Sequence, residues 1–396
     1  MDKPEQVATL KVANVWSEFA VQFDGNPQHY LLKAGHESIT LAGKFLDGGK
    51  EITDTERYFF YSKADAAAYS LSLFSRIKNR LSQPVFWRKY NKWAYSILKR
   101  ERPTHIHAHF GHTAVRILPL VKKVKLPLVV TYYGVDGSSL IQQPRWKKGY
   151  KEMFRYVSRI IVLSEVVKQR LHAIGCPLEK ITVWNIPIKL ETYQYRDRVP
   201  GDTVKFITAA RFVEKKGYPF LIAAFEKVKQ QYENCTLTII GYGPEKGRIE
   251  DLAARHHVQE SVSVNDTKMQ PDFVQYYYKN LCEHHIFVLP STTSRTGDDE
   301  GGPSLTLVAA QASGLPVICT PFAGSEVSVF DQKTGILSPT DNADALADNM
   351  IYLIRNPQRW NELGKAASEY VHHYFSETLQ AKALIGIYIA TLQKTA

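Results

Sequence analysis

An acidic, glycine-rich loop that precedes a helix is the segment best suited to chemistry. Residues 294–320 read SRTGDDEGGPSLTLVAAQASGLPVICT and follow the apolar run HIFVLPS. Glu300 is placed to accept hydrogen bonds from the hydroxyl groups of a ligand such as a sugar. Gly301 and Gly302 allow the backbone to approach that ligand closely. The alternative is an ordinary acidic loop in front of a helix.

The helix expected after these glycines adds an anion site. Pro303 stands where a first helical turn begins. The exposed N–H groups of Ser304 and Leu305 would then suit a phosphate.

Two cations lie on another loop of the second half, in AARFVEKKGYPF. Arg211 directly follows a predicted strand, and Lys216 precedes Gly217 at an expected helix start. A guanidinium fork and an ammonium charge on one loop suit a diphosphate leaving group, whose developing negative charge they would stabilise. Such a pair alone is also typical of a solvated basic loop.

A third loop, IIGYGPEKGR, places Gly241 and Gly243 at the end of a predicted strand. Both glycines allow close packing against a ligand or a facing loop. Lys246 stands where GxGxxG requires its third glycine, so the nicotinamide fingerprint is absent.

The first half carries a row of histidines in HIHAHFGHTA. His105, His107 and His109 share one face of a predicted strand, and His112 lies beyond the turn. Zinc is one interpretation, but same-face neighbours are roughly 6–7 Å apart and no Cys or carboxylate accompanies them. No metal site is therefore predicted. His109, near the end of the strand, is expected to meet the substrate.

A further strand end, VVTYYGVDGSS, is expected to form a second wall of the site. Tyr133, Gly134 and Asp136 lie there, together with Gly111 from the loop that follows the histidine row.

Charge and composition narrow the classes of partner. The 50 Lys and Arg residues outnumber 39 Asp and Glu, giving a net charge of +11 that favours anionic partners. The segment 86–102, FWRKYNKWAYSILKRER, interleaves aromatic and basic residues and would lie on an anionic membrane surface if helical. The alternative is a helix that packs its aromatic side chains inward beneath a basic outer face. Nucleic-acid binding rests on charge alone and is not predicted.

The elements that position these residues alternate between strands and helices. Apolar or β-branched runs separated by helical segments recur through both halves, which predicts two doubly wound α/β domains with parallel sheets. The polar stretch 189–202 is the expected linker, and the chain from Asn342 onward reads as helical. The predicted domains are 1–195 and 203–375, followed by a helix at 376–396. In such sheets, ligands bind beyond the carboxyl ends of the strands.

No signal peptide or membrane span is recognisable, and the four cysteines are widely spaced. These features predict a cytoplasmic protein with reduced thiols.

Taken together, the motifs resemble the retaining nucleotide-sugar glycosyltransferases of family 4, which have the GT-B fold of two facing Rossmann-like domains. HAHFG, ARFVEKKG, GYGP and EGGPSLTLVAAQASGLPV correspond to strings of the bacterial capsule, exopolysaccharide and lipopolysaccharide enzymes. The resemblance implies that Arg211 and Lys216 bind the donor diphosphate and that Glu300 contacts the donor sugar. It also implies that the last helix returns to the first, acceptor-side domain.

Two positions depart from the family pattern. The second Glu of the Glu-x7-Glu signature, which binds ribose in the family, falls on Val308. A His of the family string TFHGxD is replaced by Tyr133, which still donates or accepts one hydrogen bond.

The resemblance implies transfer of a hexose from a nucleoside-diphosphate donor to a glycan or polyprenyl-diphosphate-linked acceptor, with no metal or other cofactor. The predicted location is the cytoplasm, with peripheral contact at the cytoplasmic membrane face through segment 86–102. The alternative is a catalytically silent GT-B protein that acts as a binding partner, motivated by Val308 and Tyr133.

Overall fold

Two parallel sheets organise the computed structural model, which describes residues 9–19, 31–45, 57–63, 73–268, 270 and 272–393. Contacts divide the chain into two units. The first comprises residues 1–162, 168–184 and 381–396, and the second comprises residues 163–167 and 185–380. The division at residues 184–185 precedes the predicted linker.

The first unit contains a seven-stranded sheet in the order β3-β2-β1-β4-β5-β6-β7, in which every neighbouring pair is parallel. Its strands are β1 Lys11–Phe19, β2 Glu37–Phe45, β3 Arg57–Lys63, β4 His105–His109, β5 Leu128–Thr131, β6 Arg159–Val162 and β7 Ile181–Val183. The chain order reverses between β1 and β4. This is the switch point at which open parallel sheets bind ligands.

Helices connect these strands. They are α1 Leu73–Glu101, α2 Gly111–Arg116, α3 Leu118–Val124, α4 Ser139–Gln142, α5 Pro144–Met153 and α6 Glu165–Ala173. The hydroxyl of Ser164 accepts a hydrogen bond from the Val167 N–H group at 3.3 Å, capping the start of α6.

The second unit contains a six-stranded parallel sheet in the order β10-β9-β8-β11-β12-β13. Its strands are β8 Val204–Ala209, β9 Cys235–Gly241, β10 Val262–Asp266, β11 Ile286–Leu289, β12 Val317–Cys319 and β13 Ile336–Leu337. Its helices are α7 Tyr218–Gln231, α8 Lys246–Arg255, α9 Phe273–Glu283, α10 Leu305–Ala312, α11 Ala343–Arg355 and α12 Gln358–Tyr374. Here the order reverses between β8 and β11.

Both faces of the second sheet are buried, which explains its continuous apolar strands. Phe206 and Val288 lie in one core cluster, whereas their chain neighbours Ile207 and Phe287 lie in another. Alternate side chains of a strand point to opposite faces, so helices on both sides are needed to cover this sheet. The predicted doubly wound α/β fold is confirmed.

A last helix, α13 Glu377–Leu392, begins in the second unit, and from residue 381 onward it belongs to the first. Tyr388 on this helix is fully buried. None of the described helices is long and apolar enough to cross a lipid bilayer.

Candidate active site

The predicted donor residues of the second unit lie on loops at the switch point of its sheet. Arg211 and Lys216 follow β8, and the loop that carries Glu300 follows β11. Because β8 and β11 are adjacent and parallel, their carboxyl ends bring the two loops together.

A buried ion pair joins these loops. Lys216 Nζ lies 2.6 Å from Glu300 Oε1, and the two side chains are only 9% and 12% exposed. The Ser291 hydroxyl donates to the same carboxylate oxygen at 3.1 Å. Burial opposes ionisation of Glu300, but the ammonium groups of Lys216 and Lys215 hold its pKa below the ordinary value. Glu300 is therefore a carboxylate at neutral pH.

Lys215 makes a second connection between the loops. Its ammonium group donates to the carbonyl of Asp299 at 2.6 Å and pairs with the Asp298 carboxylate at 3.2 Å. Our sequence analysis did not single out Lys215. The doubled lysine in VEKKG was the available signal, but neither spacing nor composition shows which residue of the loop after β11 each lysine contacts.

Arg211 is exposed, in contrast to the two lysines. Within the described part of the chain, its guanidinium has no hydrogen-bond or ion-pair partner. The nearby Arg295 differs, because its Nε lies 2.9 Å from Glu214 Oε1. Arg211 thus presents a positive charge that is available to an anion.

The start of α10 borders the same loops. Ser304 is its N-cap residue, and no side chain caps the first N–H groups. Thr306 Oγ1 donates to the carbonyl of Ala209, the last residue of β8, at 2.5 Å and so fixes the helix start against that strand. The helix begins at Leu305 rather than at Pro303, which precedes the N-cap. The arrangement suits a phosphate.

Gly241 and Gly243 leave the space that the loop after β8 occupies. A Cβ atom on Gly241 would lie 1.9 Å from the Ala210 carbonyl oxygen, and one on Gly243 would lie 2.5 Å from the Phe212 carbonyl oxygen. The sequence left two partners open for these glycines, a ligand or a facing loop. In the structure, both glycines pack against the loop after β8. Gly301 and Gly302, which precede α10, are both buried.

Val308 is fully buried in the core of the second unit. It contributes packing and presents no polar atom to a ligand. The hydrogen bonds that the family signature places at this position are therefore not made by residue 308.

In the first unit, the histidine row is a set of buried hydrogen-bonded residues. His105 Nε2 lies 2.9 Å from Thr391 Oγ1, and His107 Nδ1 lies 2.6 Å from the Tyr388 hydroxyl. The other ring nitrogen of His107, Nε2, lies 2.7 Å from Thr131 Oγ1. Burial lowers the pKa of His105 to about 4 and that of His107 to about 3, so both are neutral. Among the described residues, no group of three or more His, Cys, Asp or Glu is arranged to hold a metal ion.

His109 is also fully buried, which argues against the predicted direct contact with substrate. Its Nδ1 lies 2.7 Å from the Tyr133 hydroxyl and its Nε2 lies 3.0 Å from Asn14 Oδ1. The indole of Trp16 stacks on the imidazole with a centroid separation of 3.7 Å. Burial, with a contribution from His107, holds the pKa of His109 well below its ordinary value. His109 is therefore placed to orient Tyr133, which is half-buried at the switch point.

Asp136 holds two loops of the first unit in position. Its fully buried carboxylate accepts hydrogen bonds from the N–H groups of Gly111 at 2.8 Å, Tyr133 at 3.1 Å and Gly134 at 3.0 Å. These bonds tie the loop after β4 to the loop after β5. The prediction that Asp136 itself forms a wall of the site is at odds with this geometry, because its oxygens face the backbone. Asn14 and Trp16, which complete the cluster, were missed because β1 carries no recognisable motif.

Comparison with known proteins gives family matches over both halves of the chain. Residues 29–192 match Glycosyltransferase Family 4, and residues 192–370 match Glycosyl transferases group 1. The chain is 28% identical over 284 residues to the putative colanic acid biosynthesis glycosyltransferase WcaL of Escherichia coli K12, covering 71% of this chain and 69% of the relative. It is 31% identical over 248 residues to the amylovoran biosynthesis glycosyltransferase AmsK of Erwinia amylovora, covering 62% of this chain and 60% of the relative.

Solved structures share the fold at low sequence identity. Sucrose-phosphate synthase from Thermosynechococcus elongatus has a TM-score of 0.78 at 18% identity, covering 97% of this chain and all of that one. Anabaena HepE in complex with UDP-glucose has a TM-score of 0.70 at 14% identity, covering 97% and 100%.

Proposed function

The chain belongs to the GT-B glycosyltransferases of family 4, and on that premise we propose that it transfers a hexose from a nucleoside-diphosphate sugar to a glycan acceptor in bacterial surface polysaccharide synthesis. The observation that carries the proposal is the group of cations and helix N–H groups at the switch point of the second sheet. The glycan would be free or linked to a polyprenyl diphosphate.

The donor diphosphate would bind to Arg211, Lys216 and the start of α10. Arg211 offers a guanidinium that is not already paired within the described residues, and α10 offers uncapped N–H groups. Lys216 would share its charge between the phosphate and Glu300, so the carboxylate would remain fixed beside the donor sugar. HepE, which has the same fold, binds UDP-glucose, in line with a donor of this class.

In the proposed transfer, the bond between the anomeric carbon and the β-phosphate oxygen breaks, and its electron pair stays on the phosphate. The acceptor hydroxyl oxygen bonds the anomeric carbon on the same face, and its proton passes to the departing phosphate. Arg211 and Lys216 stabilise the charge that builds on that phosphate. We propose that these side chains supply enough positive charge for the reaction to need no metal ion.

A thermal-shift series tests the donor site. We expect one of UDP, GDP, ADP, dTDP and CMP to raise the unfolding midpoint, since ligand at 100 times its dissociation constant stabilises by about 2.7 kcal/mol. Arg211→Ala should abolish the shift. Arg295→Ala is the matched control: it removes an exposed arginine that is already paired with Glu214, and it should leave the shift intact.

The series also separates the two candidate functions. Val308, which cannot hydrogen-bond a ribose, is the observation that favours a silent binding partner. That alternative replaces our proposal if no nucleotide shifts the midpoint, or if the shift persists in Arg211→Ala. If a donor is found, the anomeric configuration of the product, read by ¹H NMR, tests retention.

A further inference from the structure

Tyr242 is an exposed aromatic residue at the carboxyl edge of the second sheet. It directly follows β9, and half of its surface is exposed. Within the described ranges, its side chain has no hydrogen bond, ring contact or cation contact. The face of its ring is therefore available to a ligand.

This lack of contacts distinguishes Tyr242 from the other exposed aromatic residues of the described ranges, each of which contacts a neighbouring ring or cation. These are Tyr156 beneath Lys122, Phe273 on Tyr277, Phe330 and Tyr374 on Tyr370, and Tyr352 beside Arg359. Their rings are used in packing within the protein, whereas that of Tyr242 is not.

The backbone fixes Tyr242 next to the loop that carries Arg211. The Phe212 N–H group donates to the carbonyl of Tyr242 at 2.7 Å, and the Glu245 N–H group donates to the carbonyl of Phe212 at 3.1 Å. The two glycines that flank Tyr242 pack against the same loop. The tyrosine is therefore held at a defined position beside the proposed diphosphate site.

A buried tyrosine connects the loop after β9 with the carboxylate of the donor site. The Tyr218 hydroxyl lies 3.1 Å from the carbonyl oxygen of Ala210 and 3.2 Å from that of Arg211. Burial raises the pKa of Tyr218, and the nearby carboxylates of Glu245 and Glu300 raise it further. The loop that displays Tyr242 and the loop that carries Glu300 thus lie close to one side chain.

The order of the strands gives the distance that a ligand must span. In the sheet, β9 is the neighbour of β8 on the side away from β11. Because neighbouring strands lie about 4.8 Å apart, the loop after β9 begins about one strand spacing from the proposed diphosphate position. A base that is joined to its phosphates through a ribose extends over such a distance. A nucleotide whose base points toward β9 would bring that base to Tyr242.

The chemistry at this edge suits the nucleoside half of a nucleotide. Val308 makes no hydrogen bond to a ribose, so other contacts must hold the nucleoside. An aromatic face can do so, because every base has a π-face on which to stack. A neutral sugar ring could also pack on a tyrosine, but it would make no use of the positive charge of Arg211 on the adjoining loop. A flat group joined to an anion makes use of both.

We infer that Tyr242 stacks on the nucleobase of the sugar donor. The inference rests on the proposed function, since it places the diphosphate of the same donor at Arg211. Tyr242 then supplies much of the affinity by which a nucleoside diphosphate exceeds inorganic pyrophosphate. It is a binding residue for the nucleoside and takes no part in breaking the bond to the sugar.

Isothermal titration calorimetry with UDP, GDP, ADP, dTDP and inorganic pyrophosphate tests the inference. Tyr242→Ala should weaken the most tightly bound nucleoside diphosphate by about five- to 150-fold, the range expected for loss of one stacked base. The affinity for pyrophosphate, which has no base, should be unchanged. Tyr242→Phe keeps the ring and should bind the nucleotide within about twofold of wild type.

The matched control is Tyr352→Ala, which removes an exposed tyrosine of the same unit on α11 and should leave nucleotide affinity unchanged. Unchanged nucleotide affinity in Tyr242→Ala would overturn the inference. An equal loss of pyrophosphate affinity in that variant would also overturn it, because the side chain would then only support the Arg211 loop. A loss in Tyr242→Phe as large as in Tyr242→Ala would assign the contact to the hydroxyl and reject stacking.

Arg211→Ala distinguishes failure of this inference from failure of the donor site. It should weaken nucleoside diphosphate and pyrophosphate alike, whereas Tyr242→Ala should weaken only the former. If Arg211→Ala loses both ligands and Tyr242→Ala loses neither, the donor site stands and the stacking inference fails. If the wild type binds none of the nucleotides, both fail.

Discussion

Replacing Glu300 by Gln removes the charge of the buried pair while keeping the side-chain shape and an oxygen for the Ser291 hydroxyl. Breaking one side of a buried ion pair costs about 3–5 kcal/mol, because the remaining charge is left without compensation. Because the hydrogen bond from the Ser291 hydroxyl can still form in the variant, we expect a loss at the lower end of this range, about 3 kcal/mol. In a unit of about 200 residues, this loss lowers the unfolding midpoint by about 6–12 °C.

The pH dependence of this loss has a definite sign. The pKa of Glu300 in the folded chain lies below 4.5, its ordinary value, so the folded state favours the carboxylate. The stabilisation is fully present above about pH 4.5 and disappears as the pH falls through the folded pKa. Urea unfolding should therefore show a constant gap between wild type and Glu300→Gln from pH 8 to pH 5, and a shrinking gap at lower pH.

A double-mutant cycle with Lys216→Met identifies the pair as the cause. Because the double variant removes both charges, it should be more stable than the sum of the single losses predicts, by about 2 kcal/mol. Glu214→Gln is the control, since its partner Arg295 is 87% exposed and the pair should contribute less than about 1 kcal/mol. If the losses in unfolding free energy caused by Glu300→Gln and Lys216→Met add to within about 0.5 kcal/mol in the double variant, the reasoning is refuted.

Three further substitutions test other parts of the structure. Gly217→Ala should destabilise by more than about 1 kcal/mol in urea unfolding, because Gly217 has φ 67° and its Cβ would lie 1.8 Å from the Pro290 carbonyl oxygen; unchanged stability would contradict that contact. Val308→Glu should lower the thermal midpoint by burying an unpaired carboxylate, whereas an unchanged midpoint with tighter nucleotide binding would show that residue 308 faces the donor. Tyr388→Phe should cost about 1–3 kcal/mol by leaving His107 Nδ1 unpaired; a calorimetric scan that matches wild type would argue against this bond.

The arrangement of strands was largely predictable, because parallel strands buried on both faces read as apolar runs. β3, Arg57–Lys63, was missed, although the aromatic run in RYFFYSK was available as a signal. It is an edge strand that pairs with β2 alone among the described strands, so it lacks the second neighbour that makes central strands strongly apolar.

The residues proposed for the donor site were predictable from sequence because each lies on a loop that follows a strand. The pairing of these residues with one another was not predictable. The ion pair between Lys216 and Glu300 joins residues 84 positions apart, and it forms only because β8 and β11 are adjacent in the sheet. The burial of His109 was not predictable for a similar reason. Spacing places it at a strand end, but only the packing of Asn14, Trp16 and Tyr133 around it shows that its ring is enclosed.

The return of α13 to the first sheet has a consequence for synthesis of the chain. The bonds of His105 and His107 to this helix join residues 283 and 281 positions apart. While the ribosome is still translating the second unit, these two buried imidazoles lack their helix partners, so the first unit is left incomplete until residues 381–393 have emerged. The second unit, whose strands and loops are all made before residue 381, can finish folding first. The second unit would then complete its folding before the first unit, although the first unit is translated earlier. Contacts between residues so far apart in the sequence are of the kind that slows folding.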